Sequence, residues 1–349
     1  MLSFFDQIEI NNYAFSNSES FIRSIEALLD RTDNPVEILT IGQSEEGRPI
    51  YAFRAGSGDT SVVLLAGAHS DEPVGPEMLR ILVKHLLEGE TPGKLIENYR
   101  FLIIPHINPD GEKKNQRWIN QWPDLQAYAA HAFREEPGRD LEFGYPDMRP
   151  ENRAVSGILK EFAPCDLYIN FHGMAFADGI MLLIERHWAD RTKKLQTDFQ
   201  ALAKNHNLSL HDHDRNGEKG FQYIGPGFTT TPEGRAMKKH FLNQGDKETA
   251  SKFHLSSMEY LRSLGGDPLC LVTELPLFLV SSDHIPDQPG IPATYLALKE
   301  KLPEIRRRAL EGQPLEPVLS KFQIRPLSIE TAIRIQLGVI RSALEQTEL

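Results

Sequence analysis

The chain has 349 residues, 40% of them hydrophobic and 25% charged, which suits one large globular domain or two ordinary ones. Its formal charge of −11 argues against nucleic acid or an anionic membrane as partner, since both select basic surfaces. Two cysteines, Cys165 and Cys270, exclude a disulfide framework and a cysteine-rich zinc site, and their apolar surroundings predict buried free thiols.

The opening "MLSFFDQIEINNYAF" lacks the basic start and apolar stretch of a secretory signal. No apolar run approaches the ~20 residues of a membrane helix, so the expected location is the cytoplasm. Residues 18–30 place Phe21, Ile22, Ile25, Leu28 and Leu29 on one helical face. "VEILTIGQSEEGRPIYAFRAG" predicts two strands around a glycine-containing turn. Residues 61–68 are a short apolar run suited to a buried strand, and "GPEMLRILVKHLLEG" predicts a helix with Gly89 past its end. "YRFLIIPHINPDG" predicts another buried strand, stopped by Asn-Pro-Asp-Gly.

Residues 112–150, with Trp118 and Trp122, look like long loops with one short helix around 124–133. "PENRAVSGILKEFA" follows as a helix, "DLYINFHG" and "GIMLLIER" as strands, and 189–206 as an amphipathic helix. "LCLVTELP" is a further buried strand, "PDQPGIP" and "EGQPLEP" are connectors, and residues 328–346 form a terminal helix. Strands alternate with helices, so the fold class is α/β with a largely parallel sheet.

Three of these apolar runs end in metal-binding or acidic groups: His69 with Glu72 just beyond, then His172, then Glu274. A His-x-x-Glu spacing alone is a chance-level motif in a chain with twelve histidines. Parallel strands, however, present their carboxyl ends to one crevice, where ligands bind. His69, Glu72 and His172 there make the two-nitrogen, one-carboxylate set of a catalytic zinc, and Glu274 a neighbouring general base. "LHDHDRNG", with His211, Asp212, His213 and Asp214, is a competing cluster, read as a solvated loop. The arginine run 306–308 reads as an exposed helix face.

"SEEGRPIYAFRAG", "GAHSDEP", "INPDG", "RPENRAV", "NFHG" and "VTELP" occur in the order found in zinc carboxypeptidases of the carboxypeptidase A type, and the chain resembles that family over about residues 38–280. The resemblance implies a three-layer α/β/α sandwich with a mixed, mostly parallel eight-stranded sheet, formed by a single catalytic domain over 1–349. It implies one zinc held by His69, Glu72 and His172, a ligand set known for carboxypeptidase A. Glu274 matches the general base and acid, Asp140 the aspartate that orients the first zinc histidine, and Arg117 the arginine that steadies the oxyanion. The implied reaction is amide hydrolysis on a peptide or small peptide-like substrate.

One departure stands out. Where the family carries an Asn-Arg pair for the substrate carboxylate, this chain has Glu142 and Phe143. A carboxylate at that place repels a carboxylate. The grip then comes from another arginine (Arg134, Arg139, Arg149, Arg153 or Arg262), or the substrate is a non-peptide amide without a free carboxylate, cleaved by a deacylase or amidase. Tyr260 is the candidate for the family's late pocket tyrosine. A non-catalytic binding module of the same fold is the remaining alternative, and the presence of Glu274 speaks against it.

Overall fold

The computed structural model describes residues 4–10, 14–29, 36–88 and 93–347. Gly89 and the end of the helix expected over 18–30 lie outside these residues. Among them, ten strands form one mixed sheet: β1 (Val36–Gln43), β2 (Pro49–Ala55), β3 (Thr60–Ala66), β4 (Tyr99–Ile104), β5 (Leu167–Ala177), β6 (Met181–Ile184), β7 (Tyr223–Gly225), β8 (Phe228–Thr230), β9 (Leu269–Ser281) and β10 (Gln323–Pro326). Their order is β1-β2-β4-β3-β5-β9-β6-β8-β7, with β10 paired to the end of β9. The central strands β4, β3, β5 and β9 are mutually parallel, and antiparallel pairs with β2 and β6 flank them. Short peripheral strands bring the sheet from the eight expected to ten.

Both faces of the central strands are covered, which is why these strands read as unbroken apolar runs. Side chains alternate between faces with period two. Val62, Leu64, Ala66, Ile169 and Phe171 pack against the helices Val74–Glu88, Lys193–Asn205 and Ile329–Thr347. Val63, Leu65, Tyr168, Cys270 and Val272 pack against Pro150–Phe162 and Ser257–Ser263. The result is the expected α/β/α layering. Cys165 and Cys270 are free and buried. Among the described residues no helix is long and apolar enough to cross a membrane.

The region expected to be loops differs most. Asn-Pro-Asp-Gly does not merely stop a strand; it starts the helix Pro109–Ile119. The Asn108 side chain accepts from the Gly111 N–H at 3.0 Å, and Pro109 occupies the first turn, where its missing N–H costs nothing. The short helix expected near 124–133 is Leu125–His131. The helix face expected at 306–308 belongs to a longer helix, Ala293–Leu310, whose first part was not anticipated.

Beneath the loop that follows β3 lies a buried polar group that makes the fold acid-sensitive. Gly67 takes φ +77°, and a Cβ there would lie 2.5 Å from the His106 ring. His106 is buried and accepts from the Asn108 N–H at 3.1 Å through Nδ1. Burial, only partly offset by Glu112, pushes its pKa down to about 4. The unfolded chain therefore binds a proton that the folded chain refuses between pH 6.5 and pH 4. Stability is fully present above pH 6.5 and about 3 kcal/mol is lost as the pH falls to 4. We expect urea unfolding at pH 7 and pH 4.5 to show this loss and His106→Asn to flatten it; an unchanged slope in the variant would assign the acid sensitivity elsewhere.

Candidate metal centre

The sheet brings three distant stretches of chain together. β5 and β9 pair in parallel with His172 directly opposite Glu274, and β3 lies on the other side of β5 with Ala66 opposite Phe171. The chain leaves β3 through the left-handed Gly67, so His69 and Glu72 turn back over the end of β5. His69, Glu72 and His172 each offer one ligand atom within 4.8 Å of the others, the sole such group of three among the described residues. His69 Nδ1 stands 3.0 Å from Glu72 Oε1 and 2.9 Å from His172 Nδ1, and His172 Nδ1 stands 3.0 Å from Glu72 Oε2.

The far edge of each ring decides which nitrogen is free. His69 Nε2 lies 3.0 Å from Asp140 Oδ2, so its N–H donates there and the Nδ1 lone pair faces the cluster. His172 Nε2 faces Glu142 Oε2 at 3.5 Å, and its Nδ1 faces the cluster. Two imidazole nitrogens and one carboxylate converging at hydrogen-bond distances, both rings backed by carboxylates, fit a divalent cation with nitrogen and oxygen preference, above all zinc.

The electrostatics agree. Asp71, Glu72, Asp140, Glu142 and Glu274 gather here against the guanidinium of Arg134. Burial works against charge on His69, yet the Glu72 and Asp140 carboxylates outweigh it and hold the imidazole well above its ordinary range. His172 is likewise raised to about 9 by Glu142 and Glu72, against burial and the His69 charge. Protons thus supply the positive charge in the metal-free protein, and a metal ion competes with them for the same lone pairs. Burial first, and then the Glu72 charge, push Glu274 up to about 7.

These groups open on a cavity of about 390 Å³ lined by His69, Glu72, Glu274, Arg134, Arg215 and Tyr295, with Met174, Met181, Leu183 and Phe221 among its apolar walls. Arg134 Nε donates to Asp71 Oδ1 at 2.9 Å and its Nη2 bonds Glu72. Arg215 lies over the Phe221 ring at 4.1 Å, and no carboxylate among the described residues comes within ion-pair distance of it.

Several sequence-derived assignments need correction. Arg117 is exposed on the outer face of Pro109–Ile119, because Trp118 and Ile119 take the inner face. Arg134 is the guanidinium beside the cluster. Glu142 is only 6% exposed and does not line the cavity; it sits behind His172. The buried Phe143 ring packs edge-on against Phe253 at 5.6 Å. Arg153 is exposed and reaches the Asp147 carbonyl, and Arg139 reaches out to Glu45. Arg149 is buried against Glu151 at 2.8 Å. Arg262 lies between Glu185 and Asp267, and the Tyr260 hydroxyl donates to the Ser156 carbonyl at 3.2 Å. The tyrosine that does line the cavity, Tyr295, lies at the start of the helix Ala293–Leu310, ahead of the part expected at 306–308. In "LHDHDRNG", His211 is buried against Asp178 with the His213 ring edge-on to it at 5.4 Å, while Asp212 accepts from Tyr223 at 2.7 Å and Asp214 from the Asn216 N–H at 2.8 Å. His211 is therefore not solvated as expected, and the stretch forms no metal cluster.

Comparison with known proteins places this geometry in a family. A zinc carboxypeptidase family model matches residues 21–219, more than half of the chain. The chain belongs to the zinc carboxypeptidase family. The match includes His69, Glu72, Asp140 and His172 and ends before Glu274, whose place beside them comes from the β5–β9 pairing. The inactive metallocarboxypeptidase ecm14 of Talaromyces marneffei is 25% identical over 224 residues, 59% of this chain and 36% of that protein. Carboxypeptidase D of Homo sapiens is 24% identical over 184 residues, 47% of this chain and 12% of that protein. The chain thus spans well under half the length of these curated relatives. Among solved structures, a metallo-carboxypeptidase from Burkholderia cenocepacia matches at TM-score 0.53 and 17% identity, covering 96% of this chain and 70% of that one. Carboxypeptidase A from Helicoverpa armigera matches at TM-score 0.52 and 14% identity, covering 98% and 80%. These likenesses carry the zinc carboxypeptidase fold.

Proposed function

We propose that the protein is a zinc-dependent hydrolase of the metallocarboxypeptidase type, with one zinc per chain, that cleaves an amide bond in a peptide or peptide-like substrate. The observation that carries this reading is Glu274: a carboxylate near neutral pKa in the cavity that His69 and Glu72 line, and directly opposite His172 on the paired strand. A purely binding relic has no use for it. A zinc ion held by the three ligands would polarise the scissile carbonyl and acidify water. Glu274 takes the proton of the attacking water and returns it to the leaving amine, for which a pKa near neutrality is well matched. Arg134, beside Glu72, is placed to donate to the developing oxyanion.

Arg215 favours a substrate that carries negative charge. It is a guanidinium on the cavity wall, held over Phe221 and free of any ion pair among the described residues. The objection raised by Glu142 also falls away, because that carboxylate faces His172 rather than the cavity. Matched peptides with a free and with an amide-capped C-terminus test the reading. The free carboxylate should be preferred, and Arg215→Met should cut kcat/KM on it by about 10- to 100-fold while changing the capped peptide little. Better turnover of the capped peptide would replace the carboxypeptidase assignment with a deacylase or amidase.

A further inference from the structure

We propose that Glu142 is a positioning residue for His172, matching Asp140 on His69, so that one tight turn aims two carboxylates at the two histidines of the metal cluster. The inference rests on reading His69, Glu72 and His172 as a zinc site. Residues Leu141–Phe143 form a single 3-10 turn capped by Asp140, whose Oδ1 accepts from the Glu142 N–H at 2.8 Å. The other Asp140 oxygen, Oδ2, faces His69 Nε2 at 3.0 Å. Glu142 Oε2, two residues on, faces His172 Nε2 at 3.5 Å.

Glu142 is itself locked in place. Its Oε2 accepts from Asn170 Nδ2 at 2.7 Å, and its Oε1 accepts from Ser257 Oγ at 2.6 Å. Asn170 is two residues before His172 on β5, and Ser257 begins the helix Ser257–Ser263, so the carboxylate is fixed from the sheet and from the covering layer at once. A buried carboxylate needs positive charge nearby. Among the described residues no lysine or arginine pairs with Glu142, and the group it faces is the His172 ring at Nε2. An imidazole bound to a divalent cation would meet that need, because the ion's charge lies just beyond the ring. The carboxylate in turn fixes the ring and raises the basicity of its Nδ1. The first of the two positions that the family resemblance assigns to gripping substrate is here turned to His172.

Zinc dissociation constants, measured with the ion alone by competition with a chromophoric chelator, test this on the full chain. Glu142→Gln keeps the shape and can still accept from Ser257. It should weaken zinc about 10- to 100-fold while the thermal midpoint of the metal-free protein stays close to wild type. Wild-type zinc affinity in a variant whose metal-free midpoint has dropped would overturn the proposal, because Glu142 would then only join β5 to the covering helix. Should Glu142→Gln fail to fold, Ser257→Ala keeps the carboxylate but frees one oxygen. A several-fold weaker zinc constant there supports the proposal, and an unchanged one overturns it. A wild-type chain that takes up no zinc removes the reading of the site itself, and this proposal with it.

Discussion

Glu274→Gln is expected to retain its zinc and to lose hydrolysis by a factor on the order of 10²–10⁴, the range general acid–base catalysis supplies. None of the three ligand atoms belongs to Glu274, and its backbone pairing with His172 and Met181 does not depend on the side chain. Glutamine fills the same space and cannot accept a proton. The variant also carries an independent electrostatic signature. In the metal-free protein the Glu274 carboxyl is raised to about 7 by burial and by Glu72. A carboxyl raised in the folded state costs stability as the pH rises from 4.5 through 7, by up to about 3 kcal/mol. The metal-free variant should therefore be no less stable than wild type at pH 8. An active Glu274→Gln enzyme would mean that another group is the base.

The parts of the site that lie on regular strands were legible in the sequence. β3, β5 and β9 are buried on both faces, so each reads as an unbroken apolar run, and polar residues at their ends stand out. That is how His69, Glu72, His172 and Glu274 could be proposed as one cluster from positions about 200 residues apart. Asp140 needed the family resemblance, because no periodicity governs the turn it caps.

Irregular backbone explains most of what was missed. Glu142 and Phe143 follow Asp140 in a single 3-10 turn, and their directions are set by Asn170, Ser257 and Phe253, contacts that a linear reading does not contain. Arg117 is matched by its place after Asn-Pro-Asp-Gly, although at a shorter spacing than in digestive-type members, and those residues start a helix that turns it outward. Arg134, after the next short helix, reaches the cluster instead. The helix carrying Tyr295 follows the connector "PDQPGIP" and holds Pro303 within it, so its apolar pattern is weak. His211 went unnoticed as a buried residue because its partner Asp178 is 33 positions away.

The central claim is that His69, Glu72 and His172 hold a single metal ion in front of Glu274. Both histidines present Nδ1 to the same point and both rings are held from behind, so removing either leaves two ligands where a stable site needs three. Metal analysis of the purified protein beside His69→Ala and His172→Ala addresses this most directly. The structure predicts about one zinc per wild-type chain and loss of nearly all of it, with all hydrolysis, in either variant. Near-stoichiometric zinc retained by His69→Ala or His172→Ala would contradict the site described above.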